Sequence, residues 1–215
     1  MSAPLPEGLR LAIERDLGPV RPLPRPEVRA AAVALPMLAA MAVVAMRYHA
    51  PVTWAGLGPP TVEWALASGL TALALREAVP GRSLGSSRVV SALGIGAAAY
   101  LTLAALLWRA GGFRWSGAQA ALEAFGCGSM LGRISLVPLA LATWLALRAL
   151  PLRPGRSGAL AGAAAGLFAD AIWRVICHRS DLVHQGMGHG AALVVIAAVG
   201  AVAGFLLSRG RSTVR

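Results

Sequence analysis

The sequence predicts an all-α polytopic membrane protein, a bundle of six transmembrane helices with both termini in the cytoplasm. Of its 215 residues, 57% are hydrophobic and only 13% are charged, whereas soluble domains carry about 25% charged residues. The apolar residues form six runs, each long enough for one crossing of a hydrocarbon core. All twenty basic residues are arginines, most of them in the short loops between runs, and such loop charges set the orientation of membrane proteins.

The six apolar segments have about 20 residues each and carry few charges. They cover residues 30–46, 62–79, 89–108, 130–150, 158–177 and 191–207. The second and fifth contain ionisable residues, which are costly inside a bilayer unless they are paired or lie near its surface. Glycines recur at four-residue steps in the last two segments, a spacing that lets helix backbones approach closely. We therefore predict a packing seam along Gly158, Gly162, Gly166, Gly200 and Gly204.

Arginine placement predicts the orientation. Six crossings put both termini on one side, and fourteen of the twenty arginines fall on that side, with five on the other and Arg133 within the fourth segment. The positive-inside rule then predicts cytoplasmic termini. The domain order is a cytoplasmic segment at 1–29, a six-helix bundle at 30–208 and a cytoplasmic tail at 209–215. We interpret the net charge of +11 as a topology signal and predict no direct nucleic acid binding, because no basic patch alternates with exposed aromatic residues.

The N-terminal segment contains one amphipathic pattern. Four apolar residues recur at four-residue spacing and predict one face of a short helix: Leu5, Leu9, Ile13 and Leu17. A Gly-Pro pair directly after Leu17 is expected to end this helix. Such a helix can lie on membrane lipid or enter a groove of a protein partner. The stretch PVRPLPRPE that follows predicts an extended, proline-rich strut.

The residues able to perform chemistry lie in two windows on the predicted outer side. One holds Cys127; the other, residues 172–189, holds Cys177, His178, His184 and His189. The two thiols can form a disulfide if they lie close enough. Together with His178 and His184 they can instead hold a thiophilic divalent metal, or they can be two buried thiols beside wetted histidines. We predict no obligatory cofactor; a transiently bound heavy-metal ion is one of the alternatives that these residues leave open.

A charged pair precedes the second cysteine. Asp170 and Arg174 are four residues apart, so a helix places them side by side and predicts an intramembrane ion pair. A proton relay is the competing interpretation. A second pair between Glu63 and Arg133 is possible, but the sequence does not determine it.

Over nearly its whole length, the chain resembles the six-helix bacterial membrane anti-sigma factors of the negative-regulator-of-sigma-F type (NrsF). The most specific stretches are ERDLGPVRPLPRP in the tail and the half that begins at Cys127, where GCGSMLGRISLVPLALATWLALRALPLRPGRSGALAGAAAG is followed by IWRVICH and a final apolar helix. This half departs from the usual family pattern after Cys177. Family members often have a proline and acids there and a tryptophan-histidine near the last helix, whereas this chain has His178, Arg179 and Asp181, then Met187, Gly188 and His189.

The resemblance implies a non-enzymatic regulator in the bacterial inner membrane that binds an extracytoplasmic-function sigma factor. It implies that Cys127 and Cys177 sense heavy metal or oxidative stress. The sigma-binding residues would lie in the N-terminal segment: Leu9, Ile13, Leu17, Pro19, Val20 and Arg21. Two other classes remain open from the residues alone, a small transporter or channel and a membrane thiol oxidoreductase. The first normally shows broken inverted repeats and the second a low-pKa C-x-x-C pair, and the sequence has neither.

Overall fold

The computed structural model describes residues 6–16, 22–50, 53–77, 118–149, 151–177, 179 and 184–212. All the regular structure in these ranges is helical, as predicted. The elements are α1 (Glu7–Asp16), α2 (Pro26–Arg47), α3 (Trp54–Glu77), α4 (Ala118–Leu147), α5 (Pro154–Arg174), a π-helical turn (His184–Gly190) and α6 (Ala191–Ser212). The predicted third segment, residues 89–108, lies outside the described residues.

Three of the described helices are long and apolar enough to cross a membrane, whereas the sequence predicted six spans in the whole chain. The three spans are Pro26–Arg47, Ala121–Leu147 and His184–Arg209, with mean hydropathies of 2.0, 1.7 and 2.5. Helices α3 and α5 have 24 and 21 residues but fall short of that hydropathy. Ionisable residues in both helices, two prolines in α3 and the glycines of α5 explain the lower value.

Two helices begin earlier than predicted. Helix α4 begins at Ala118 and not at residue 130, because AQAALEAFG consists mostly of strong helix formers. Cys127 therefore lies inside α4, and the prediction that it precedes this helix was wrong. Helix α3 begins at Trp54 and not at residue 62. Its Pro59 and Pro60 are the sixth and seventh residues of the helix, beyond the first turn, so the helix extends N-terminal to them although each proline lacks the N–H of one intrahelical hydrogen bond.

Helix α5 is the interior helix of the described bundle and packs against α3, α4 and α6. Fourteen of its 21 residues are buried, among them Phe168, which is fully enclosed in the main core cluster. Its contact with α6 follows the predicted glycine seam. A Cβ added to Gly158 would lie 2.1 Å from the Gly200 carbonyl oxygen, and one added to Gly204 would lie 2.4 Å from the Pro154 carbonyl oxygen. Only glycine permits this backbone contact.

Ion pairs identify the helix ends that lie together. Glu27 at the start of α2 pairs with Arg76 at the end of α3, and Arg156 at the start of α5 lies 3.8 Å from Glu77, also at the end of α3. We call this the arginine-rich end of the bundle, defined by Arg29, Arg76, Arg148, Arg153, Arg156 and Arg209. The first half of α4, the end of α5 and the π-helical turn form the opposite end.

Candidate metal centre

Both cysteines and two histidines meet at the end of the bundle opposite the arginine-rich end. Cys127 lies in α4, Cys177 follows the end of α5, and the π-helical turn carries His184 and His189. One ligand atom from each residue lies within 4.8 Å of all the others. Three separate elements therefore bring two thiols and two imidazoles into one cluster, which we call the thiol–imidazole cluster.

The distances in this cluster fit a tetrahedral metal site. The two Sγ atoms are 3.9 Å apart, and the Cys177 Sγ lies 3.2 Å from the His184 Nε2. In a tetrahedral zinc site, with bonds of about 2.3 Å to sulfur and about 2.1 Å to nitrogen, ligand atoms are separated by about 3.4–3.8 Å. Only small side-chain movements separate the observed arrangement from that geometry.

The cluster is partly accessible from one side. A cavity of about 510 Å³ adjoins Cys127, Cys177 and His184. Glu123 and Arg179, which also line it, form an ion pair between α4 and the segment after α5. The two histidines are buried, with 1% and 0% exposure, whereas both cysteines are partly exposed. A small cation therefore has a route to the thiols, while the imidazoles lie deeper.

Burial also affects the reactivity of the second thiol. Burial is the main reason why the pKa of the Cys177 thiol is raised to about 11. Cys177 therefore remains protonated at neutral pH when no metal is present, and a protonated thiol is a weak nucleophile. This property disfavours the thiol oxidoreductase interpretation.

His189 is held by an acid in the neighbouring helix. Its Nδ1 is hydrogen-bonded to the Asp170 Oδ1, whereas its buried Nε2 has no hydrogen-bond partner among the described residues. An Nδ1–H donated to a carboxylate leaves the Nε2 lone pair free, which is the usual arrangement of histidines that bind metals. The Nε2 is thus the atom of His189 that can serve as a ligand.

A buried charge network extends from His189 into the bundle. Arg174 donates from Nη2 to the Asp170 Oδ2 at 2.8 Å, as the helical spacing predicted. The Arg174 Nε also lies 2.8 Å from the Glu63 Oε1 in α3, and Nη1 donates to the Gln185 Oε1 at 2.9 Å. Arg174 thus joins Asp170 of α5, Glu63 of α3 and Gln185 of the π-helical turn in one buried network, and Asp170 connects this network to His189.

Not every predicted site residue belongs to this cluster. Cys127, Cys177 and His184 come together as predicted, while His178 lies outside the described residues. The structure adds His189, to which the sequence assigned no role. His189 lies five residues after His184. This spacing places the two side chains near each other only in a π-helical turn, where hydrogen bonds join residues i and i+5. The partner of Glu63 is Arg174; Arg133 is exposed and contacts Met130.

The predicted sigma-binding residues are only partly described. Leu9 lies in α1, which confirms the predicted short helix, and its side chain is 48% exposed. Ile13 also lies in α1, but its side chain is outside the description, as are Leu17, Pro19, Val20 and Arg21.

These observations define an α-helical protein with helices long and apolar enough to span a membrane and a thiol–imidazole cluster at one end. Residues 13–209 match the family NrsF, the negative regulator of sigma F, so the chain belongs to this family of anti-sigma regulators. Comparison with curated proteins and with solved structures gave no match. The family match confirms the resemblance drawn from the sequence and favours a regulator over an enzyme.

Proposed function

We propose that this protein is a multi-pass anti-sigma factor of the bacterial inner membrane. It holds an extracytoplasmic-function sigma factor through residues 1–29 and releases it when the thiol–imidazole cluster binds a thiophilic metal. The observation that carries the proposal is the convergence of Cys127, Cys177, His184 and His189 within 4.8 Å in a chain of the NrsF family.

The ligand set favours metal over simple thiol oxidation as the signal. Two thiols alone would suffice for a disulfide, but here two imidazole nitrogens also face the sulfurs. Two sulfur and two nitrogen ligands are typical of Zn²⁺ and related ions. When bound, such a cation supplies a direct link among α4, the end of α5 and the π-helical turn. The protein needs no resident cofactor for its regulatory role, because the metal acts as a transient signal.

The arrangement of the bundle supports six crossings with cytoplasmic termini. Helix α5 can cross a membrane with a lower mean hydropathy than its neighbours because protein, and not lipid, covers most of its surface. The arginine-rich end and the thiol–imidazole cluster occupy opposite ends of the described helices. By the positive-inside rule, the arginine-rich end is cytoplasmic. The cluster then faces the extracytoplasmic side, where metals and oxidants arrive first.

Residues 1–29 are the proposed sigma-binding segment. Leu9 and Leu11 are 48% and 60% exposed in α1, which leaves apolar surface free for a partner helix groove. The stripe of Leu9, Ile13 and Leu17, followed by Pro19, Val20 and Arg21, forms the proposed contact surface. Membrane lipid is the second surface that this helix can contact.

The buried network gives the cluster a physical connection to the rest of the bundle. His189 contacts Asp170, Asp170 contacts Arg174, and Arg174 contacts Glu63 in α3. A shift of His189 on metal binding changes the charge balance of this network. Because α3 ends beside the start of α2 at the Glu27–Arg76 ion pair, a movement of α3 can reach the segment that leads to the tail.

The test is metal-dependent release of a sigma factor from the full chain. The complex is purified in a neutral detergent, Cd²⁺ is added, and the retained sigma factor is quantified beside a transcription reporter in cells. We expect wild type to release the sigma factor, and Cys127→Ser and Cys177→Ser to keep it bound without induction. Glu123→Gln, which alters the cavity lining without removing a proposed ligand, is the matched control and should still respond.

Two results would contradict parts of this proposal. Normal induction in both cysteine variants would make the thiols structural and would place the sensor elsewhere. Constitutive release in both variants would mean that an intact link between the thiols holds the resting state, so that the signal breaks that link.

A further inference from the structure

A second polar site lies at the arginine-rich end, remote from the thiol–imidazole cluster. A pocket of about 280 Å³ is formed where the proline-rich strut meets α2 and α4. Its walls include Pro22 and Pro24 of the strut, Arg29 of α2, and Trp144 and Arg148 at the end of α4. The volume lies just below the roughly 300–1,000 Å³ of pockets for drug-sized ligands, so it suits a small chemical group.

Arg29 is the unusual residue in this pocket. It is only 4% exposed, and its Nη1 and Nη2 atoms are buried without hydrogen-bond partners in the described part of the chain. A guanidinium is always charged in proteins, and burying an unpaired charge is costly. A protein keeps such an arrangement when a ligand supplies the missing partner.

The surrounding charges require that this partner be an anion. Arg148 adds a second positive charge to the same pocket, and none of the described lining residues is a carboxylate. The nearest acid along α2, Glu27, is paired with Arg76. Arg29 also lies in the first turn of α2, where the helix dipole favours negative charge.

The position of the pocket points to a membrane surface. The apolar part of α2 begins directly after Arg29, and Arg148 directly follows the spanning segment Ala121–Leu147. The Arg148 guanidinium lies 4.9 Å from the centre of the exposed Trp144 ring. Tryptophan and arginine together at the end of an apolar helix are typical of the zone of lipid headgroups.

We propose that this pocket binds the phosphate of an anionic phospholipid headgroup, with Arg29 as the buried anchor and Arg148 at the rim. A guanidinium can donate two parallel hydrogen bonds to phosphate oxygens, which satisfies both orphaned nitrogens. Because Pro22 and Pro24 form one wall, a bound headgroup also fixes the strut against the bundle. The base of the N-terminal segment is then held at the membrane surface.

The test uses the full chain, delipidated in a neutral detergent. Short-chain phosphatidylglycerol, phosphatidylcholine and inorganic phosphate are added separately, and thermal unfolding and lipid retention by native mass spectrometry are measured. We expect phosphatidylglycerol to raise the Tm and to be retained in preference to phosphatidylcholine. We expect inorganic phosphate at the same concentration to have little effect. A rise with phosphate equal to that with phosphatidylglycerol would assign the pocket to a soluble anion and overturn the lipid proposal.

The variant Arg29→Gln distinguishes a role of Arg29 in ligand binding from a purely structural role. It should bind phosphatidylglycerol roughly tenfold more weakly or worse, the factor expected for one lost charge-assisted contact, without a lower Tm in lipid-free detergent. Arg153→Gln removes an equal charge at the same end, outside the pocket, and should respond to the lipid as wild type does. If Arg29→Gln lowers the Tm relative to wild type by the same amount with and without lipid, the proposal is overturned. If Arg29→Gln does not fold, the wild-type lipid preference still decides, because an absent preference also overturns it.

Discussion

Asp170 lies at the centre of the contacts between the buried charge network and the thiol–imidazole cluster. It is fully buried, accepts from Arg174 and holds the Nδ1 of His189. The proton-relay interpretation requires a path to water on both sides, whereas the described contacts of Asp170 link an arginine to an imidazole. We therefore propose that Asp170 is a positioning residue, which fixes the ring of a proposed ligand and is itself fixed by Arg174.

This role predicts a specific effect of Asp170→Asn. The amide keeps the size of the side chain but removes the charge that orients His189 and stabilises a bound cation. Loss of such a partner typically lowers metal affinity by about 10–100-fold. Titration with Cd²⁺, followed by the thiolate-to-metal absorbance band, measures the affinity. Glu123→Gln is the control and should bind normally; unchanged affinity in Asp170→Asn would contradict the positioning role of Asp170.

The individual residues also show what the sequence could and could not predict. The Asp170–Arg174 pair was predictable because both lie on one α-helix, where four-residue spacing fixes the contact. The contact between Glu63 and Arg174 was not, because it depends on how α3 rotates against α5. His189 was missed because the sequence predicted a wetted loop for its histidines, whereas His184–Gly190 form a π-helical turn, which no local sequence pattern indicated.

Among the elements, α5 and α6 illustrate a feature that the sequence did predict. Glycines four residues apart indicated a close seam, and the structure places the two backbones in contact along it. The start of α4 was predicted too late, because the apolar run begins at residue 130 while helix propensity extends back to Ala118. Hydropathy marks the part of a helix that meets lipid, not the end of its hydrogen bonding.

The seam predicts a strong difference between two glycine substitutions. A Cβ at Gly162 would lie 2.5 Å from the Ile196 carbonyl oxygen and 2.8 Å from the Ala197 Cα, whereas one at Gly69 in α3 would meet nothing within 4 Å. Gly162→Ala must force the helices apart and should cost about 1–3 kcal/mol. Gly69→Ala should be neutral or stabilising by about 0.5–1 kcal/mol. Thermal unfolding in detergent compares them; equal Tm values would mean that α5 and α6 separate without cost.

Helix α1 allows a matched test of the tail. Leu9 belongs to the four-residue stripe and Leu11 does not, yet both are exposed, so neither substitution disturbs the bundle. If the stripe enters a groove, Leu9→Asp loses a buried leucine worth about 1.5–3 kcal/mol, or roughly 10–150-fold in affinity for the sigma factor. Leu11→Asp should bind nearly as wild type does. Co-purification measures both; full retention by Leu9→Asp would favour the helix that lies on lipid.

For the whole molecule, the main feature is the separation of two chemistries. The six arginines that define the arginine-rich end, the strut and the proposed phosphate pocket occupy one end of the bundle, while the thiol–imidazole cluster occupies the other. The described spanning helices have 22 to 27 residues, or about 33–40 Å at about 1.5 Å per residue. Under the proposed function, a signal at the cluster would act on the tail through the packed helices, and the buried network and the glycine seam are the contacts that could carry it.

This separation predicts the membrane topology. If the arginine-rich end is cytoplasmic, reporter fusions after Arg82 and after Arg215 should read cytoplasmic, and a fusion near Arg114 should read extracytoplasmic. The physical reason is that arginine-rich loops are retained on the cytoplasmic side during insertion, and fourteen of the twenty arginines fall on one side of a six-crossing chain. Alkaline phosphatase, active outside, and green fluorescent protein, fluorescent inside, give opposite readouts at each position. A cytoplasmic reading near Arg114 would remove one crossing from the predicted six, place Cys127 on the inner side and contradict an extracytoplasmic sensor.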